Sequence, residues 1–87
     1  MEKTLKILNQ QGLHARPAAI LTKTAAGFKS DIHILYKDIT ANAKSIMNIM
    51  SLGLNKDAEF VLAVNGPDEE KAFDTIVQLI ESKFGEE

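Results

Sequence analysis

Within the stretch GLHARPAA, Gly12 to Ala19, an imidazole and a guanidinium stand two residues apart between a glycine and a proline. Neutral imidazole is a nucleophile near neutral pH. The planar guanidinium of Arg16 matches the oxygens of a phosphate. Pro17 fits the first turn of a helix, where a missing N–H costs nothing, so His14 stands at a helix entrance. Such an entrance carries unpaired backbone N–H groups and a partial positive charge, which together attract anions. The pattern points to a histidine that accepts and releases a phosphoryl group. Gly12 lets the backbone fold so that the ring faces outward. The alternative on spacing alone is a histidine that closes a loop beside a solvated arginine. No carboxylate pair, metal-ligand set or Ser-His-Asp arrangement accompanies it, so neither a metal nor a cofactor is expected.

The elements that must position these residues follow from periodicity. Thr4 to Leu8 alternates as a strand. Asn9 to Gly12 is a polar connection. A helix begins near Ala15 or Arg16, buries Ala18, Leu21, Ala25 and Phe28, and is placed to end at Gly27. Asp31 to Tyr36 is a second strand, and Ile39 to Ala43 a weaker third. A short helix spans Ser45 to about Leu52, where Gly53 stops it. Glu59 to Val64 is the fourth strand. Asn65-Gly66-Pro67-Asp68 is turn chemistry that doubles as a helix start. The last helix, with Ala72, Phe73, Ile76, Leu79 and Ile80 on its apolar face, runs to about Lys83. The tail Gly85-Glu86-Glu87 is expected to fray, with its carboxylates near Arg16. The order is β-α-β-β-α-β-α. Four half-buried strands and three amphipathic helices bury one another as two layers, and alternation implies a mostly antiparallel sheet with one open face.

Composition narrows the function classes. Eighty-seven residues suit a single domain spanning 1–87. A net charge of −2 and a single tyrosine argue against nucleic-acid binding. No apolar run reaches membrane-spanning length, and the first residues lack the layout of a signal peptide. Zero cysteines fit a reducing compartment. A cytoplasmic location is the expectation.

A second segment, NAKSIMNIMSLGL from Asn42 to Leu54, holds two readings. Ser45 is by type a helix N-cap. Ile49 and Leu52 are candidate core. Ile46, Met47 and Met50 either fill the core or form an exposed patch suited to several partners. His33, on the polar side of a strand, reads as an exposed structural residue.

GLHARPAA resembles the active-site segment of the HPr family, the histidine-containing phosphocarriers of the bacterial phosphoenolpyruvate-dependent sugar phosphotransferase system. The Asn42–Leu54 segment resembles the family's regulatory serine segment, and the separation of the two also matches. The resemblance implies an α+β, open-faced β-sandwich with strand order 1-4-2-3 covered by three helices. It implies phosphorylation of His14 on Nδ1, assistance from Arg16, and backbone amides of Ala15 and Arg16 facing the phosphate. It implies regulatory phosphorylation of Ser45 by an HPr kinase/phosphorylase, and a docking surface that includes Ile20, Lys23, Ile46, Met47 and Met50. The implied partners are Enzyme I as donor and the IIA domains of sugar permeases as acceptors, with a transcription regulator as a further one. A carrier of this kind is not an enzyme in its own right, does not insert in a membrane, and is expected to be a monomer that leaves its relay surface free.

Two features depart from the sugar-branch pattern. Asn48 stands where the Gram-positive subtype often has glycine, which touches recognition of Ser45 but not the chemistry of His14. NGPDEEKAF, from Asn65 to Phe73, is similar to the carrier of the nitrogen-regulatory branch. The competing readings are therefore a nitrogen-branch phosphocarrier and a binding module whose output depends on Ser45.

Overall fold

Alternate residues of each strand face one side of the sheet, and that side is apolar. Leu5, with Ile7 just beyond its strand, Ile32 and Ile34, Ala41, and Phe60, Leu62 and Val64 are all buried. The computed structural model describes residues 1–86. Its elements are β1 Glu2–Lys6, α1 Ala15–Ala26, β2 Asp31–Tyr36, β3 Ile39–Asn42, α2 Ile46–Ser51, β4 Glu59–Asn65 and α3 Glu69–Glu81, followed by a 3-10 turn at Lys83–Gly85. The four strands form one sheet in the order β1-β4-β2-β3, with every pairing antiparallel. The expected α+β architecture and strand order are what the chain adopts.

The helices lie on the apolar side. Ala18, Leu21 and Ala25 of α1, Ile49 of α2, and Ala72, Ile76 and Ile80 of α3 are buried against the sheet. Each large aliphatic side chain among them contributes about 1.5–3 kcal/mol of burial. Ala18 and Ala25, both at 0% exposure, let α1 approach closely, since interiors are packed without gaps. Phe28 packs against the core from its edge and is only half-buried.

The boundaries differ from the sequence reading where backbone pairing decides them. β1 starts two residues before Thr4 and ends at Lys6 rather than Leu8. Its ladder with β4 closes at the pair Lys6↔Glu59. Beyond it, Ile7 exchanges hydrogen bonds with the turn at Asp57–Ala58, at 2.8 and 3.0 Å, so Ile7 stays buried outside the strand while Leu8 is exposed. α3 stops at Glu81 instead of Lys83.

The loop entering α3 is latched to the connection between α1 and β2. The Asp68 carboxylate accepts the N–H groups of Lys29 and Ser30, each at 2.9 Å, and the Ser30 hydroxyl at 2.6 Å. The Ser30 hydroxyl first, and the Lys29 N–H next, hold Asp68 below the usual carboxylate range. Glu69 returns a carboxylate oxygen to the Gly66 N–H at 3.1 Å, which fixes the helix start.

Candidate functional site

His14 is the N-cap of α1, and its side chain makes no capping bond. The ring is therefore available for other work. The first helical hydrogen bond, Ala18 N–H to the His14 carbonyl at 2.9 Å, leaves three positions before it. Pro17 has no N–H. The first-turn donors are thus those of Ala15 and Arg16, at the positive end of the helix dipole. No acidic residue stands in this turn to neutralise it. Arg16 is exposed beside it.

The loop before α1 is held rigidly. Gly12 has φ +72, and a Cβ there would lie 2.5 Å from the Leu54 carbonyl oxygen and 2.8 Å from Asn55 Cα. Only glycine allows this close crossing of two backbones. Beside it, Leu13 N–H donates to the Leu54 carbonyl at 2.8 Å, and Gly12 N–H to the Asn9 carbonyl at 3.1 Å. Leu13 and Leu54 are both buried below the site. His14 thus projects from an anchored backbone, with its side chain 35% exposed.

The ring has a partner that the sequence did not assign to it. The Glu86 carboxylate lies 3.1 and 3.3 Å from His14 Nε2. Glu86 and Arg16 do line one cleft, as the sequence implies, but the tail up to Glu86 does not fray. Instead Phe84 is buried, and the left-handed backbone at Lys83 and Phe84 (φ 61 and 56) turns the chain back toward α1. Glu86 is carried under His14, while Glu87 lies outside the described residues. A cue was present: Ile76, Ile80 and Phe84 continue the i, i+4 apolar spacing of α3. Asn9 belongs to the connection that the sequence reads as polar, yet it is fully buried. Its Nδ2 donates to the Gly12 carbonyl and, at 3.1 Å, to Glu86 Oε1. Nothing in its sequence context distinguishes it from a solvated loop residue. Gln10, Gln11, His14, Arg16, Gly85 and Glu86 line an open cleft of about 480 Å³.

The remaining candidate residues fall on α1 and α2, which pack side by side. Ser45 is the N-cap of α2, and its hydroxyl accepts the Asn48 N–H at 3.3 Å. Ile46, Met47 and Met50 are exposed, Met47 at 80%, whereas Ile49 and Leu52 are core. Lys23 is exposed on α1, and Ile20 is half-buried, packing partly against the core. His33 is half-buried on the open sheet face, between Asn42 and Ala63 on the neighbouring strands. Among the described residues no group of three or more histidines, cysteines or carboxylates is arranged to hold a metal. No helix among them is long and apolar enough to cross a membrane.

Similarity to known proteins agrees with this geometry. The chain is 44% identical over 85 residues to the phosphocarrier protein HPr of Treponema pallidum, covering 98% of this chain and 97% of the relative. The crystal structure of HPr-C-His from Thermoanaerobacter tengcongensis superposes with a TM-score of 0.96 at 50% identity, over 100% of this chain and 98% of that one. An HPr dimer from the same organism matches with a TM-score of 0.80 at 50% identity, over 99% of each chain. The family described as the PTS HPr component phosphorylation site matches residues 1–82, and with a fold and strand order that agree throughout, the chain belongs to the HPr family of the phosphotransferase system.

Proposed function

We propose that this protein is a phosphocarrier in which His14 Nδ1 takes a phosphoryl group from phosphorylated Enzyme I and hands it to a sugar-specific IIA domain. The observation that carries this reading is the division of labour on one ring. Both hydrogen bonds of the imidazole go through Nε2 to the Glu86 carboxylate, and the ring stands at the entrance of α1, whose first turn holds no acidic residue, beside Arg16. A phosphoryl group on Nδ1 would meet the Ala15 and Arg16 amides and the Arg16 guanidinium. These are few and open to solvent, as a group that must be given away again requires. Catalysis is then largely positioning and electrostatics shared with each partner, and the carrier is a reactant in the relay rather than an enzyme.

The exposed apolar side chains of Ile46, Met47 and Met50, with Lys23 and the outer part of Ile20, form the docking surface for both donor and acceptor. Methionine adapts to more than one partner at little cost. Ser45 lies at the edge of that patch. A phosphate there would sit well at the α2 N-terminus and would place a dianion against any acidic partner, which supports regulation by an HPr kinase/phosphorylase. The carrier acts as a monomer in the cytoplasm, where the relay surface is free.

The test is incubation with Enzyme I and phosphoenolpyruvate, read by intact mass before and after mild acid. One acid-labile phosphoryl group, absent from His14→Ala, is the expected result. Onward transfer to a sugar-branch IIA domain, rather than a nitrogen-branch one, assigns the branch. A folded protein that takes no phosphoryl group from any Enzyme I tried sinks the reading and moves attention to Ser45 as a binding switch.

A further inference from the structure

We propose that Glu86 is a positioning residue for the chemistry of His14. Its carboxylate keeps the ring proton on Nε2, presents Nδ1 as the bare nucleophile, and balances the charge that the ring carries while phosphorylated. This rests on the carrier reading and adds a residue to it.

An ionised carboxylate only accepts hydrogen bonds. The ring nitrogen facing it at 3.1 and 3.3 Å is Nε2, so Nε2 is the N–H. In a neutral ring the other nitrogen then carries the lone pair. Glu86 does not sample this position as a loose surface acid. Its side chain is only 20% exposed, the buried Asn9 amide donates to its Oε1 at 3.1 Å, and Phe84 is locked into the core two residues before it. The fully buried Asn9 also donates to the Gly12 carbonyl, so the same amide ties the carboxylate to the loop that carries His14.

The balance of the transfer shows what this arrangement does. The Nδ1 lone pair forms the N–P bond, the phosphorus–donor bond breaks, and its electron pair leaves with the donor. No proton moves. The ring keeps Nε2–H and becomes cationic, directly against the Glu86 carboxylate. On onward transfer the acceptor forms its bond to phosphorus, the Nδ1–P bond breaks, and its electron pair returns to Nδ1. The ring leaves as neutral imidazole. Without the proton on Nε2 it would have to leave as an imidazolate anion, a far poorer leaving group. One carboxylate thus serves both directions, by the logic through which a carboxylate orients a histidine and stabilises its cation in hydrolytic triads.

The experiment uses the whole chain with Glu86→Ala and Glu86→Gln. Ring ¹⁵N NMR reads the tautomer and the exchange of the Nε2 proton with water, and single-turnover kinetics read transfer from Enzyme I and to a IIA domain. Wild type is expected to show a proton-bearing Nε2, a bare Nδ1 and slowed exchange. Glu86→Ala is expected to lose the slow exchange and to transfer about tenfold more slowly, the scale of one charge-assisted hydrogen bond at a partly buried site. Glu86→Gln keeps an acceptor without the charge, so it should retain the tautomer while slowing transfer in the same direction. A wild-type ring protonated on Nδ1, or wild-type transfer rates in both variants, overturns the role of Glu86 while leaving the carrier reading intact. A wild-type protein that is never phosphorylated on His14 sinks the carrier reading, and this proposal with it.

Discussion

Two glycines with nearly the same backbone angle separate conformational strain from steric contact. Gly12 has φ +72 and Gly53 has φ +63. A Cβ at Gly53 would meet nothing within 4 Å, whereas one at Gly12 would fall 2.5 Å from the Leu54 carbonyl oxygen and 2.8 Å from Asn55 Cα. Gly53→Ala therefore carries only the left-handed backbone cost, roughly 1–2 kcal/mol. Gly12→Ala carries that cost and also forces two backbone segments apart, which adds about 1–3 kcal/mol by analogy with overpacked cores. The expected total is about 2–5 kcal/mol, a large share of the 5–15 kcal/mol typical of a domain. At about 4–8 °C per kcal/mol for a chain of this size, melting should fall by roughly 8–40 °C. Urea unfolding of both variants, at one temperature, measures the difference. The contact next to Gly12 is the Leu13–Leu54 hydrogen bond of 2.8 Å, and Leu13 adjoins His14. Gly12→Ala should therefore also slow phosphorylation under conditions where it remains folded, and Gly53→Ala should not. Equal stability losses in the two variants would refute the close-crossing argument.

The other expectations concern the latch and the second helix. Asp68 is held below its usual range, so its contribution is fully present above the ordinary carboxylate pKa of about 3.9 and is lost as pH falls through the lowered value in the folded state. Asp68→Asn should lower stability at neutral pH and flatten the acid limb of a stability–pH profile. An unchanged acid limb would show that the latch contributes nothing there. Ser45→Ala removes the acceptor for the Asn48 N–H and should cost about 0.5–2 kcal/mol, read by chemical denaturation; Ser45→Asp should retain most of that cap. Met47, 80% exposed, can be changed to alanine with less than about 0.5 kcal/mol effect on folding. Binding to Enzyme I, followed by titration calorimetry, should nevertheless weaken by a few-fold or more.

The sequence alone determined the elements and marked one segment, around His14, as the candidate site. Alternation at Ile32 and Ile34 and at Phe60, Leu62 and Val64 fixes which side of the sheet is buried, because successive strand residues face opposite ways. The spacing of Ala18, Leu21 and Ala25 fixes the buried stripe of α1 in the same manner. His14, Arg16 and Pro17 announce themselves because a helix start is local and its chemistry is carried by neighbours in sequence. Strand order was not legible from periodicity, which says nothing about which strand pairs with which; it came through the family resemblance. Tertiary structure alone decided what lies against the ring of His14. Glu86 stands 72 positions away in sequence and reaches it because Phe84 finds a place in the core and pulls the chain back. Asn9 looks solvated in the sequence, yet in the fold it is buried and its amide is shared between the Gly12 carbonyl and Glu86. Such contacts depend on how separate elements close over one another, and no local pattern of residue types records that closure.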